Sequence, residues 1–226
     1  TVHHIGADLW TQLLIADQLQ KVYRALCLRQ PALLPTPGFT YRDHVRLQHE
    51  YVRSADGERD WQFWRERLKH TPSLLPLPLD FVRGDSITMQ GARVSHVVPG
   101  SVMRQLQMFC RQQGLTPFMV VQAALQLMLY RLTRQKRFMV GTPVAGRTAT
   151  GSESVVGDFA NPVVLCADFN LATTGSLLLA YVRRQVASAL EHQAFPFPEL
   201  VARLMPLRDV RRSPLFQVMY VWHQAH

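Results

Sequence analysis

The chain has 226 residues, 47% of them hydrophobic, and a formal net charge of +9 at pH 7. This length and apolar content allow one substantial core or two small ones, and they exclude a disordered or fibrous chain. No run reaches the roughly 18 uninterrupted apolar residues of a membrane span, and the N-terminus lacks the layout of a signal peptide. We therefore expect a cytoplasmic protein with no membrane partner.

The positive charge is nearly all arginine, scattered along the chain. A basic surface attracts nucleic acid, anionic membranes or acidic proteins, and charge alone does not separate these partners. The chain has no tight run of Lys and Arg interleaved with aromatic residues, the pattern of single-strand binders, so we expect no nucleic-acid partner. The three cysteines, Cys27, Cys110 and Cys166, lie far apart, which fits neither a disulfide framework nor a thiolate metal site. We interpret them as buried apolar residues.

The first elements are predicted from capping residues, apolar spacing and prolines. TVHHI at the start is typical of the end of a strand. Asp8 is a suitable N-cap, and apolar residues at helical spacing predict an amphipathic helix over residues 9–27. Prolines and glycine in residues 31–39 forbid a helix and predict an extended crossing segment, which is a candidate lobe boundary. A short helix is predicted within residues 58–69.

The second half of the chain alternates between strand and helix patterns. Residues 94–98 alternate apolar and polar, which predicts a half-buried strand. A second amphipathic helix is predicted over residues 101–113, stopped by Gly114. Thr116 and Pro117 start a helix that is apolar on nearly every side and is therefore expected to be central and buried. The remaining elements are predicted as strands at 137–141 and 161–169, helices at 177–192 and 197–204, and a final strand at 214–222.

This alternation indicates an α/β or α+β layered fold. A chain that starts inside one strand and stops just after another leaves open sheet edges, which native domains pair or cover. We therefore expect a piece of a larger domain.

The adjacent histidines are the first candidates for chemistry. On an extended strand, His3 and His4 point to opposite faces, so one serves the reaction and the other the scaffold. Asp8 is placed to orient the imidazole directly or to fix the loop through an arginine, and the spacing leaves both open. A catalytic zinc needs three convergent protein ligands and nothing nearby supplies the third, so we expect no metal.

The chain also lacks the G-x-S-x-G elbow of a serine hydrolase. An imidazole without a covalent nucleophile suits direct acyl transfer between two bound substrates. It would accept a proton from the attacking amine or hydroxyl, while the protein holds both reactants in line.

HHIGADLW resembles the HHxxxDG signature of the condensation domains of nonribosomal peptide synthetases, which belong to the chloramphenicol-acetyltransferase-like superfamily. The match is at His3, His4 and Asp8, and it departs at Leu9, where glycine is usual. Further blocks resemble the family in its own order: YRDHV at 41–45, GTPVAGR at 141–147, VVGDFANPVVL at 155–165, HQAFPFPEL at 192–200 and RDVRRSPLFQV at 208–218. The resemblance covers essentially the whole chain.

The resemblance implies a two-lobed, V-shaped sandwich, incomplete here, with the histidine motif in a tunnel between the lobes. Residues 1–30 would end the N-terminal lobe, residues 31–45 would cross between the lobes, and residues 46–226 would form most of the C-terminal lobe. In this comparison His4 is the catalytic histidine and faces the tunnel, and His3 is its structural neighbour. The resemblance also implies a salt bridge between Asp8 and Arg147 that shapes the loop. Asn161 is a candidate for the tunnel lining, with a turn before a strand as the alternative.

The implied reaction is amide formation between a donor acyl or peptidyl thioester and the amine of an acceptor aminoacyl thioester. Both substrates hang on 4'-phosphopantetheine arms supplied by partner carrier domains, so the chain itself is expected to bind no cofactor. An adjoining adenylation domain is expected in the native chain. Carrier domains are commonly acidic, which gives the arginine excess a possible second use.

Other members of the superfamily provide the alternatives. A starter condensation domain would attach a fatty or polyketide acyl group to the first amino acid, and an epimerisation domain would abstract an α-proton. A fragment lacking the first lobe could instead be a non-catalytic carrier-docking module, and a freestanding acyltransferase would use coenzyme A. Heterocyclisation is disfavoured, because aspartates replace the histidines in those domains.

Overall fold

The computed structural model describes residues 2–36, 38–81, 84, 90–171, 174–205 and 212–223. Its helices are α1 (Leu9–Cys27), α2 (Tyr41–Val52), α3 (Ala55–Leu68), α4 (Gly100–Gln113), α5 (Pro117–Thr133), α6 (Gly175–Glu191) and α7 (Phe197–Leu204). Its strands are β1 (Arg137–Val144) and β2 (Asn161–Asp168). This mixture of helices and strands confirms the predicted fold class.

Several helix ends lie where the capping residues predict them. The carboxylate of Asp8 accepts a hydrogen bond from the Thr11 N–H at the start of α1. The side chain of Thr116 caps α5 in the same way, with Pro117 in the first turn. Gly114 ends α4 in the left-handed conformation, with φ at 61°. The predictions at these three positions are confirmed.

Helix α2 begins inside the segment predicted to cross between the lobes, and no pattern above predicts it. It starts with a capping box: the Thr40 hydroxyl accepts from the Asp43 N–H at 3.2 Å, and the Asp43 carboxylate accepts from the Thr40 N–H at 3.0 Å. The usual signature of this box has Glu or Gln in place of Asp43, so the signal is easily missed. Residues 30–36 have no regular structure, as predicted, and Pro37 lies outside the described residues.

Strands β1 and β2 pair antiparallel, with Arg137 opposite Asp168 at one end and Val144 opposite Asn161 at the other. The middle of each strand is buried, as the continuous apolar runs predict. Because Arg147 follows β1 closely and Asn161 begins β2, the antiparallel register brings both residues to the same end of the sheet.

The segment predicted as the final strand contributes one bridge. Within the described residues, Gly141 pairs in parallel with Met219: its N–H donates to the Val218 carbonyl at 3.0 Å, and its carbonyl accepts from the Tyr220 N–H at 2.8 Å. Glycine is needed at position 141, because a Cβ there would lie 2.3 Å from the Phe216 ring. The strand prediction is therefore correct in place and too long.

The strand predicted at residues 94–98 is wrong. These residues have no regular structure, and the Val94 side chain is 96% exposed. A strand is stabilised by its pairing, and no described residue pairs with this segment. The alternating pattern alone therefore does not produce a strand here.

The main core lies between β2 and the helices that pack against it. Its buried members include Trp64 and Leu68 of α3, Val164 and Leu165 of β2, Val182 and Val186 of α6, and Leu200 and Val201 of α7. A second cluster joins Leu75, Leu129, Phe138, Val140 and Ala167. Burial of these apolar side chains is the main contribution to folding.

Helix α5 is less buried than its composition predicts. Gln122 and Gln126 are its most deeply buried side chains, whereas Met128 and Leu132 are exposed. An almost uniformly apolar helix carries no pattern that identifies its buried face, and this explains the error.

Two of the three cysteines, Cys110 and Cys166, are buried as predicted. Cys27 is exposed, so the prediction that it is buried is wrong.

A buried polar network joins α2, α3 and the end of α6. The Tyr51 hydroxyl donates to the carboxylate of Asp60, whose other oxygen lies 2.8 Å from Nδ1 of His192. The His192 ring also stacks on Phe63, with ring centroids 3.7 Å apart. Burial and the neighbouring Asp60 charge raise the pKa of the Tyr51 hydroxyl. His192 is thus a histidine with a structural role, bonded to Asp60 and stacked on Phe63.

Within the described part of the chain, no single helix is long and apolar enough to cross a membrane. Helices α4 and α5 together meet the length and composition requirement, but they are bent by 103° at their junction.

Candidate active site around the HHIGAD segment

A buried ion pair lies directly behind the histidine motif. Nη2 of Arg147 is 3.0 Å from Oδ1 and 3.2 Å from Oδ2 of Asp8, and the two side chains are only 3% and 6% exposed. Asp8 caps α1, and Arg147 lies just beyond β1. The pair therefore fixes the first helix against the edge of the sheet.

The same guanidinium also closes the loop between β1 and β2. Nη1 of Arg147 donates to the carbonyls of Ser152, at 2.6 Å, and Val155, at 2.7 Å. The central carbon of the guanidinium lies 4.0 Å from the centroid of the Phe159 ring. An arginine can make these contacts together because its planar fork carries five donors, which a lysine lacks.

Backbone bonds extend this network to residues 157–159. The Thr11 hydroxyl donates to the Gly157 carbonyl at 2.7 Å and accepts from the Gly157 N–H at 3.1 Å. The Phe159 N–H donates to Oδ2 of Asp8 at 3.2 Å. Residues 157 and 159 are thus both bonded to the start of α1, with Asp158 held between them.

These contacts determine the charge of Asp8. Burial favours the neutral carboxyl, but hydrogen bonds from the Thr11 and Phe159 N–H groups and from Arg147 outweigh it and lower the pKa of Asp8. Asp8 is therefore ionised at neutral pH, with its oxygens occupied. This arrangement favours a structural role over proton transfer.

The histidines themselves do not lie on a strand. His3 is extended, and its Nδ1 accepts the Ile5 N–H at 3.1 Å, capping a single 3-10 turn over His4–Gly6. The prediction that TVHHI ends a strand is wrong for residues 2–5: the described chain offers them no partner strand, and the His3 cap favours a turn that begins at His4. The two imidazoles differ in their contacts, and that of His3 is bonded to the backbone.

His4 presents its ring to solvent. Its side chain is 76% exposed, and its Nδ1 lies 3.3 Å from Oδ2 of Asp158, whose side chain is 30% exposed. The pKa of His4 is raised, first by a hydrogen bond to its own backbone carbonyl and then by the negative charge of Asp158. Nε2 is the ring nitrogen opposite this contact, and a neutral ring with its proton on Nδ1 can accept a proton there.

Asp158 is the residue that sequence reasoning missed. Its only signal was its place in VVGDFANPVVL, and its contact with His4 depends on folding two distant segments together. Tyr41, in the YRDHV block, supports it: the Tyr41 hydroxyl donates to the Asp158 carbonyl at 2.9 Å. The Tyr41 ring also packs on Gly157, where a Cβ would lie 2.3 Å from Cδ2.

Asn161 uses its whole amide to hold the α6–α7 connection. Nδ2 donates to the carbonyls of Gln193 and Phe195, both at 2.9 Å, and Oδ1 accepts the Phe197 N–H at 2.9 Å. Asn161 also lines a cavity of about 160 Å³ that includes His44. The described residues contain no group of His, Cys, Asp and Glu that could hold a metal ion.

Comparison with known proteins assigns this chain to a family. The family model described as "Condensation domain" matches residues 1–224. The chain belongs to the condensation-domain family. One chain of the linear gramicidin synthase of Brevibacillus parabrevis is 35% identical over 220 residues, which cover 97% of this chain and 4% of that protein.

Solved structures agree with the assignment. The X-domain from teicoplanin biosynthesis superposes with a TM-score of 0.86 at 23% identity, covering 96% of this chain and 50% of that one, and so shows the fold. A four-domain nonribosomal peptide synthetase bound to AMP and glycine gives a TM-score of 0.85 at 25% identity, covering 99% of this chain and 17% of that one. This condensation domain thus has the chloramphenicol-acetyltransferase-like fold that its motifs implied. The chain spans half or less of each of these proteins.

Proposed function

We propose that this condensation domain forms an amide bond between two carrier-bound thioesters. The amine of an acceptor aminoacyl thioester attacks the thioester carbonyl of a donor acyl or peptidyl group. Both groups are delivered on 4'-phosphopantetheine arms by separate carrier domains, and the chain itself supplies no cofactor. Similarity to a gramicidin synthase and to a four-domain peptide synthetase supports this class of reaction.

The observation that carries the proposal is the contrast between His4 and the residues behind it. Within the described residues, the His4 ring is exposed and contacts Asp158 through Nδ1, whereas Asp8 and Arg147 are buried and bonded to each other. His4 is therefore the group that can accept a proton from, or hydrogen-bond, the attacking amine. General acid–base assistance of this kind contributes about 10²- to 10⁴-fold to a rate.

Only the neutral imidazole can accept this proton, so the rate falls as pH drops through the pKa of His4. Because that pKa is raised above 6.5, the loss begins at a higher pH than for an unperturbed histidine. Carrier domains with an acidic surface would be attracted by the net charge of +9.

The test uses the natural full-length protein with loaded donor and acceptor carriers, and detects the product by intact mass. We expect an amide-linked product from the wild type and a rate lower by about 10²-fold or more in His4→Ala. His96→Ala, which removes an exposed histidine from an irregular segment, is the matched control and keeps the wild-type rate. Equal rates in the wild type and His4→Ala would refute the assignment of His4.

The same assay separates the alternatives. Consumption of a fatty acyl donor alone would indicate a starter domain. Exchange of the α-proton for deuterium without amide formation would indicate an epimerisation domain. Absence of product with every loaded carrier would favour a carrier-docking module.

A further inference from the structure

The contact between His4 and Asp158 has the form of an orienting pair. Nδ1 and Oδ2 are 3.3 Å apart, the His4 ring is exposed, and the carboxylate lies on the side of the ring opposite Nε2. A neutral imidazole carries one proton, and an acceptor beside Nδ1 favours the tautomer with the proton there. The lone pair then lies on Nε2.

The residues on both sides of Asp158 are held by hydrogen bonds, and these bonds position its carboxylate. Gly157 is bonded through both its N–H and its carbonyl to the Thr11 hydroxyl, and the Phe159 N–H is bonded to Asp8. The Tyr41 hydroxyl adds a further hydrogen bond, which it donates to the Asp158 carbonyl. Because Asp8 and Thr11 directly follow the turn that carries His4, the same buried network positions both members of the pair.

Resting on the function proposed above, we propose that Asp158 is a positioning residue for His4. Its carboxylate acts together with the ring's hydrogen bond to the His4 carbonyl to keep the proton on Nδ1, fixes the plane of the ring, and leaves Nε2 as the proton-accepting atom. The proton of the attacking amine passes to Nε2 as the carbon–nitrogen bond forms, and then leaves with the departing thiolate as a thiol.

Among the described residues, two carboxylates act on the charge of His4. Asp158 and Asp8 both favour the charged imidazole, and the charge of Asp8 is balanced by Arg147 at 3.0 Å. The Tyr41 hydroxyl donates to the backbone carbonyl of Asp158. Of these, only Asp158 contacts the His4 ring, so its removal is expected to dominate any change in the ring's titration.

The first experiment measures the titration of His4 itself in the natural full-length protein. Deuterium exchange at the imidazole Cε1, followed by mass spectrometry of the peptide that contains His4, gives a midpoint without any need for activity. We expect the midpoint to move to lower pH in Asp158→Asn and in Asp158→Ala, and to stay close to the wild type in Asp158→Glu. Glu153→Gln removes a charge from the same loop and leaves the midpoint unchanged.

The second experiment is the pH profile of amide formation by the same proteins. The acid limb should move to lower pH in Asp158→Asn, and the maximal rate at high pH should fall about tenfold, because the ring loses its orienting partner. A residue that only supported the fold would lower the rate at every pH without moving the limb. Rescue of both the limb and the maximal rate by Asp158→Glu is expected.

The outcomes separate this inference from the proposed function. An unmoved His4 midpoint in Asp158→Asn, or an equal movement in Glu153→Gln, overturns the pairing even if the wild type forms amide. A midpoint that moves while the wild type and His4→Ala form amide equally overturns the catalytic assignment, and with it the positioning role. A shifted midpoint together with a shifted acid limb supports both.

Discussion

Replacing Asp8 by alanine is expected to cost this domain a large part of its stability. The change leaves the Arg147 guanidinium, only 3% exposed, without its carboxylate partner, and the N–H groups of Thr11 and Phe159 without an acceptor. Removing one member of a buried ion pair costs about 3–5 kcal/mol. Protein domains have unfolding free energies of about 5–15 kcal/mol, so the variant is expected to remain folded with a lower free energy of unfolding.

Urea unfolding of the purified domain at its natural length, followed by tryptophan fluorescence, measures this cost. Asp8→Ala, Arg147→Met and the double variant form a cycle. We expect each single change to lower the free energy of unfolding by about 3–5 kcal/mol, and the double change to lower it by less than their sum, because no charge is then stranded. Asp17→Ala is the matched control: it breaks an exposed pair with Lys21 in the same helix, for a loss of about 0–1 kcal/mol.

The pH dependence of the free energy of unfolding gives an independent test of the contribution of Asp8. Folding lowers the pKa of Asp8 below its ordinary value of 3.8, so the ionised carboxylate contributes stability that is fully present above that value. The contribution is lost as pH falls through the lowered value in the folded state. The difference in unfolding free energy between the wild type and Asp8→Asn should therefore shrink in acid. Additive losses in the cycle, or an Asp8→Ala loss no larger than that of Asp17→Ala, would refute the reasoning.

Asn161→Ala should lower the free energy of unfolding by about 2 kcal/mol and raise protease cleavage in the α6–α7 connection, since three hydrogen bonds of its amide are lost. Gly157→Ala should cost about 1–3 kcal/mol in urea unfolding, and less when Tyr41 is already alanine, because the new Cβ meets the Tyr41 ring. Asp60→Ala should lower the thermal midpoint more than Asp60→Asn, since it leaves His192 without its partner; similar midpoints for the two variants would contradict this.

The parts of the site that sequence reasoning reached are those with local signals. Asp8 is recognisable as a helix cap from its neighbours alone. Its pairing with Arg147 crosses 139 residues and was expected only because both motifs resemble a family. The fold class followed from alternating patterns, whereas the strand at residues 94–98 failed, because pairing is decided by residues elsewhere in the chain.

The contact between Asp158 and His4 could not be predicted from any local sequence pattern. Its backbone neighbours are bonded to residues 146 and 151 positions away, and only these bonds bring its carboxylate to His4. Alternation along a strand predicted different roles for the two histidines. In the structure there is no strand here: His3 is extended, and a turn begins at His4. The two rings differ in their contacts: His3 caps that turn, and the exposed His4 ring lies beside Asp158.

The different roles proposed for Asp8 and His4 rest on their different burial. Both oxygens of Asp8 accept hydrogen bonds, its pKa is lowered, and it is shielded from solvent, so a proton transfer through it would first break the network that holds residues 157–159. Loss of activity in Asp8 variants should therefore follow the loss of folded protein, and a folded Asp8→Asn domain should keep an acid limb, moved to lower pH because Asp8 no longer favours the charged imidazole. His4→Ala removes an exposed ring that stabilises little, so it should lower turnover by about 10²-fold or more while leaving the unfolding curve in place. Comparing rate with folded fraction across these variants separates the residue that shapes the site from the residue that acts in it.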